Sequence, residues 1–138
     1  MAELRRFSIS IENELLTKLK RLVRKSRYTN RSEFIRDMLR DRLVEEQWKG
    51  EEQVLGTITL VYDHETRELS KKLTRLQHRH HDVVLAATHV HLDAHLCAEM
   101  ILAKGEAAVI REIADLLRQQ KGVLHAALSL SSTGKTLT

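Results

Sequence analysis

The chain has 138 residues, enough for one domain or two small ones. Its balance of 42% apolar and 30% charged residues fits a globular chain and excludes a disordered one; the longest apolar runs fall well short of the about 20 residues of a bilayer span. The start of the chain has no apolar signal core and the single cysteine excludes an internal disulfide framework, so a reducing, cytoplasmic setting is expected.

The net charge of +4 is unevenly spread. Residues 1–50 hold 13 Lys/Arg and 8 Asp/Glu, whereas residues 51–138 hold 10 and 11. All eight histidines and the cysteine follow residue 63. This separation points to a polyanion-binding module joined to one that carries soft metal ligands.

In residues 5–11, Phe7, Ile9 and Ile11 alternate with Arg6, Ser8 and Ser10, which is the period of a strand with one apolar face. No hairpin partner follows, and a lone strand leaves its backbone groups unpaired, so a second copy of the chain is the simplest partner. Leu15, Leu16, Leu19, Leu22 and Val23 then recur at helical spacing. Asn30 and Glu33 have the spacing of a capping box opening a second helix, with Ile35, Met38, Leu39 and Leu43 on its inner side. That helix is expected to fray into a polar linker before residue 54. A strand and two helices in so few residues cannot bury an adequate core alone, but two copies can. Their paired strands would present Arg6, Ser8 and Ser10 as a ribbon suited to the DNA major groove.

The second half reads as strand 54–62, helix 65–77, strand 82–92, a turn at Asp93–His95, strand 96–104, helix 106–120 ending at Gly122, and strand 123–130. This β-α-β-β-α-β order is the ferredoxin-like arrangement, an antiparallel sheet with helices on one face. Along strand 82–92, Val84, Ala86, Thr88, Val90 and Leu92 are assigned to the core under the helices. Val83, Leu85 and Ala87 are apolar too, which implies that a second sheet covers the other face across a subunit boundary. The expected domains are therefore residues 1–48, a linker at 49–53, residues 54–131, and a frayed tail at 132–138.

A three-residue turn places His91 opposite Cys97 and His89 opposite Glu99. His89, His91 and Cys97 then form a preformed set of ligands for a borderline-soft divalent metal, with Glu99 a hydrogen-bond partner for an imidazole. A lone buried cysteine is ordinarily a small hydrophobe. Here it shares residues 78–97 with six of the eight histidines, and that conjunction favours a metal. His78 lies too far along the strand to complete the set within one chain, so a site shared between subunits is expected.

The pattern of Arg6–Ile11, Asn30-Arg-Ser-Glu-x-x-Arg-Asp37, Tyr62-Asp-His64, Gln77-His78 and His89–Cys97 resembles the nickel-responsive transcriptional regulators of the NikR family, over nearly the whole chain. The resemblance implies an α+β protein with an N-terminal ribbon-helix-helix module and a ferredoxin-like, ACT-type domain, assembled as a homotetramer without membrane association. It implies one Ni(II) per subunit held in a square plane by His89, His91 and Cys97 of one chain and His78 of another. It further implies reading of a pseudo-palindromic double-stranded operator by Arg6, Ser8 and Ser10, and a second cation, K+, near Glu33 and Asp37 at the contact between the modules. Repression of nickel-uptake genes is the expected role. A regulator sensing Cu or Zn is the runner-up. A hydrolase using metal-bound water would have Glu99 alone as base, and an antitoxin would not need a second folded module.

Overall fold

The computed structural model describes residues 2–138. In chain order it contains helices α1 (Asn13–Lys25) and α2 (Arg31–Gln47), strand β1 (Gln53–Asp63), helix α3 (Leu69–Arg79), strands β2 (Val84–His91) and β3 (Leu96–Glu106), helix α4 (Ala107–Arg118) and strand β4 (Val123–Ser132). Two compact units emerge. One runs to Leu43 and includes Thr136–Thr138; the other is Val44–Lys135.

In the first unit, the Asn30 side chain accepts a hydrogen bond from the Glu33 backbone N–H at 2.9 Å, the cap expected from their spacing. The Glu33 carboxylate does not complete a capping box; it pairs with Arg36 one turn on. Val23 and Phe34 are the buried apolar side chains of this unit among the described residues. Met38, Leu39 and Leu43, read as inward-facing, are exposed. Residues 2–12 form no strand, and Phe7 and Ile9 are exposed. A strand exists only with a ladder partner, and the single chain supplies none. From the tail, the Leu137 carbonyl accepts a hydrogen bond from Arg40 Nε at 3.1 Å.

Helix α2 does not fray at Glu45 as expected but continues to Gln47, and Trp48 is buried in the second unit. The physical reason is the indole. Its Nε1 donates to the Ser131 carbonyl at 2.8 Å, the Arg111 guanidinium lies 5.3 Å from the ring centroid, and the ring packs against Gly56. An apolar anchor of this size opposes fraying of the turn before it.

The second unit is a four-stranded sheet in the order β2-β3-β1-β4, with every neighbouring pair antiparallel. This is the ferredoxin-like topology. Leu69 and Leu73 of α3 and Ile110, Ile113 and Leu117 of α4 cover Val54, Ile58, Leu60, Tyr62, Cys97 and Ile101. Burying each large side chain of this kind stabilises by about 1.5–3 kcal/mol. Helix α3 starts four residues later than its hydrophobic period indicates: the Asp63 carboxylate caps the Glu65 N–H, and Glu68 takes a left-handed conformation at φ 66°.

From Ala86 onward the faces of β2 are the reverse of those expected, whereas Val84 pairs with buried Ala103 on the covered side as expected. Residues paired across an antiparallel ladder share a face, and Ala87, His89 and His91 pair with Ile101, Glu99 and Cys97 of the helix-covered side. Ala86, Thr88 and Val90 therefore lie on the open face; in the single chain the residues of both faces from Leu85 to His91 are exposed. The register shifts between Val84 and Ala86, which moves Leu85 out of the alternation and changes the phase of what precedes it.

Candidate metal centre

The site forms at the end of the sheet where β2 and β3 turn into each other. The Asp93 carboxylate accepts hydrogen bonds from the backbone N–H groups of His95 and Leu96, both at 2.8 Å. Those two bonds hold its pKa below the ordinary aspartate value. They close the turn so that His91 faces Cys97 and His89 faces Glu99, the register expected from a three-residue turn.

Cys97 is fully buried beside exposed His91, with Sγ and Nδ1 3.4 Å apart. Burial pushes the thiol pKa up, and the nearby carboxylates of Asp63 and Asp93 push the same way. The imidazoles of His89 and His91 have centroids 5.3 Å apart. Tyr62, paired with Cys97 across β1 and β3, places its hydroxyl 3.3 Å from His89 Nδ1. Burial first, then the charges of Glu99 and Cys97, push the Tyr62 pKa up to about 12, so it remains a hydrogen-bond donor at physiological pH.

Glu99 reaches α3. Gln77 Nε2 donates to Glu99 Oε1 at 3.2 Å, which fixes the last turn of that helix against the sheet. His78, next in the chain, is exposed and lines a surface crevice with Thr74, His81 and residues 84–87. Within one chain, His89, His91 and Cys97 are thus brought to one end of the hairpin, while His78 faces a different surface.

Sequence reasoning assigned no role to His64. Its ring sits edge-on to His91, with centroids 5.5 Å apart, and its backbone N–H donates to the His95 carbonyl at 2.9 Å. One nitrogen from His64, one from His91 and the Cys97 sulfur all lie within 4.8 Å of one another. The available signal was topological: His64 leaves β1 directly beside the end of β3 that carries Cys97.

In the first unit, Arg6, Ser8 and Ser10 are exposed. Glu33 and Asp37 are both engaged locally, Glu33 with Arg36, and Asp37 with the Tyr28 hydroxyl and with Arg40 at 2.9 Å.

The donor set suits nickel. Imidazole nitrogens and one thiolate are ligands for borderline divalent ions, and the 3.4 Å separation of His91 and Cys97 is close to that of two neighbouring ligands on one ion, about 3–3.5 Å for bonds of 2.0–2.3 Å.

Comparison with known proteins agrees. Residues 55–131 match the NikR C-terminal nickel-binding domain, and residues 5–46 match the ribbon-helix-helix proteins of the copG family. A relative from Geobacter sulfurreducens is 49% identical over 138 residues, covering 99% of both chains. Another, from Caldanaerobacter subterraneus subsp. tengcongensis, is 44% identical over 133 residues, covering 96% of this chain and 86% of its own. The names of both class them as nickel-responsive regulators. An uncharacterised Thermotoga maritima protein of known structure shares the fold of part of the chain, with a TM-score of 0.52, 15% identity, and coverage of 57% of this chain and 98% of its own. A ribbon-helix-helix segment followed by a nickel-binding domain, and near-complete alignment to these relatives, show that the chain belongs to the NikR family of nickel-responsive regulators.

Proposed function

We propose that the protein is a nickel-dependent DNA-binding regulator that represses nickel-uptake genes when its metal centres are filled. The observation that carries this reading is the pairing of His91 with Cys97 at the tip of a hairpin, beside His89, in a chain that also has a ribbon-helix-helix segment. His89, His91 and Cys97 of one copy and His78 of another would hold one Ni(II) per subunit. The ion would supply a fixed link between the two copies.

The chain's own residues prepare that link. Asp93 closes the turn behind the ligands, Tyr62 orients His89, and the Gln77–Glu99 bond holds the turn of α3 that presents His78 outward. Joining α3 of one copy to the hairpin of another restricts the arrangements open to the assembly, a homotetramer in this reading. The DNA-binding pairs then adopt more often the spacing that fits a pseudo-palindromic operator, read by Arg6, Ser8 and Ser10. This is a population shift, so operator DNA tightens nickel binding by the same factor that nickel tightens DNA binding. Glu33 and Asp37 would receive a second cation such as K+ by exchanging their present partners, Arg36, Arg40 and Tyr28.

Two measurements test the reading. With one Ni(II) per chain, a thiolate-to-nickel absorption band is expected and is lost in Cys97→Ala. In titrations of a selected inverted-repeat duplex, nickel raises affinity, while Cu(II) and Zn(II) raise it less. Equal DNA affinity with and without nickel overturns the proposal.

A further inference from the structure

We infer that residues 133–138 act as a splint on helix α2, keeping its last turns firm so that a change in the metal-binding unit is passed on to the DNA-binding one. This rests on the regulatory reading above, because such a splint matters only if one unit acts on the other.

The boundary between the two compact units falls inside α2, between Leu43 and Val44. Around it, Asp41, Arg42, Leu43, Glu45 and Glu46 are exposed. A helical turn with little packing opens at small cost, so this turn would absorb a displacement instead of transmitting it. The chain crosses the same boundary a second time, between Lys135 and Thr136.

Two hydrogen bonds tie the second crossing to the first, one in each unit. Trp48 Nε1 donates to Ser131 O at 2.8 Å, and Arg40 Nε donates to Leu137 O at 3.1 Å. The later helix-side residue meets the earlier tail residue, so the two segments run in opposite directions. Positions 40 and 48 stand about 12 Å apart along a helix axis, and the run from Ser131 to Leu137 reaches about 20 Å when extended. The surplus allows one turn. Gly134 makes it, at φ 86° and with its N–H donating to Ser132 Oγ at 3.0 Å.

The grip on Leu137 extends into the core of the first unit. Arg40 Nη1 also holds Asp37 at 2.9 Å, and Asp37 accepts from the Tyr28 hydroxyl. The Tyr28 ring lies edge-on to buried Phe34, with centroids 5.4 Å apart. At its other end the tail leaves β4, which is paired along β1. Unwinding of α2 at Val44 must therefore break the Arg40 bond or undo the turn at Gly134.

The test compares wild type, a chain ending at Ser132, and Gly134→Val. The last keeps the tail but disfavours positive φ, and a Cβ there meets nothing within 4 Å, so its effect comes from the backbone alone. Amide exchange followed by mass spectrometry, the nickel-thiolate band and operator titrations with and without Ni(II) are the readouts. In the shortened chain, amides of residues 41–48 exchange faster by about tenfold or more, as expected for loss of a hydrogen bond to a charged group, while those of residues 54–61 do not. The nickel-thiolate band persists, and the gain in operator affinity on adding nickel shrinks by about tenfold or more. Gly134→Val moves the same readouts in the same direction, and it carries the comparison if the shortened chain does not fold. Unchanged exchange at residues 41–48, equal acceleration at residues 54–61, or an undiminished nickel gain overturns the inference. A wild type whose operator affinity ignores nickel overturns the proposed function instead, and the exchange comparison still decides whether the tail supports α2.

Discussion

Asp93 shows how one side chain can organise a site without touching the ion. It caps two successive N–H groups at the turn between His91 and Cys97. Asp93→Ala frees that turn, so nickel affinity should fall by about 10–100-fold, the usual cost of losing a partner that orients ligands. Equilibrium competition with a chelator measures it, and Asp93→Asn should recover part of the loss by retaining one acceptor. A second residue-scale device is the Tyr28–Asp37 bond in the first unit. That bond is the largest cause holding Asp37 below its ordinary pKa of 3.8, with Arg40 adding, and it also raises Tyr28 above 10.0. A depressed carboxylate stabilises the fold above its unfolded pKa and loses that contribution as pH falls through the folded value. A raised tyrosine stabilises below its unfolded pKa and loses that contribution as pH rises through the folded value. Tyr28→Phe should therefore lower the thermal midpoint of the first unit near neutral pH, and the difference from wild type should shrink below about pH 4. The pairing of His91 with Cys97 was legible because turn length fixes register. His64 was not, because its neighbours come from a different strand pair and no local spacing encodes that approach.

At the scale of elements, helical and strand periods located every element of the second unit, and the Asn30 cap and Gly122 marked boundaries. The phase of β2 was not legible. Val83–Ala87 is apolar on both faces, so alternation alone cannot say which side the helices cover, and the irregularity at Leu85 shifts the count. Cys97 decides it, since its partner must share its buried face. The end of α2 was misread for a related reason: the polar run Glu45–Gln53 signals a linker, but a single tryptophan outweighs it. A Cβ placed on Gly56 would lie 2.8 Å from Trp48 Cη2 and 3.2 Å from Ile110 Cγ2. Gly56→Ala should destabilise the second unit by about 1–3 kcal/mol through overpacking, and Trp48→Ala by about 3–5 kcal/mol through loss of a buried aromatic. Because removing the indole makes room for the methyl, the double variant should cost less than the two single changes together. Urea denaturation of the four proteins provides the cycle, and strict additivity would count against direct contact as the cause.

For the whole molecule, the apolar surface that one chain leaves uncovered is informative. Phe7 and Ile9 in the N-terminal segment, and Met38 and Leu39 on α2, are exposed with fractions of 77%, 61%, 46% and 60%. The alternation of residues 5–11 signals a strand although the isolated chain has no ladder for it. In the proposed assembly a second chain would supply that ladder and cover these side chains. Leu39→Glu places a charge where two copies would bury α2 against each other, a change that costs several kcal/mol when the charge has no partner. Operator affinity should drop by more than about a hundredfold, equivalent to about 2.8 kcal/mol. The nickel-thiolate band should survive, because its proposed ligands all lie in the second unit. Sedimentation velocity alongside the DNA titration separates the two effects: an assembly held only through the second unit should remain, now unable to present a paired ribbon. If Leu39→Glu instead binds operator as tightly as wild type, α2 is not the surface on which the DNA-binding pair forms, and the arrangement of Arg6, Ser8 and Ser10 on a two-chain ribbon loses its basis.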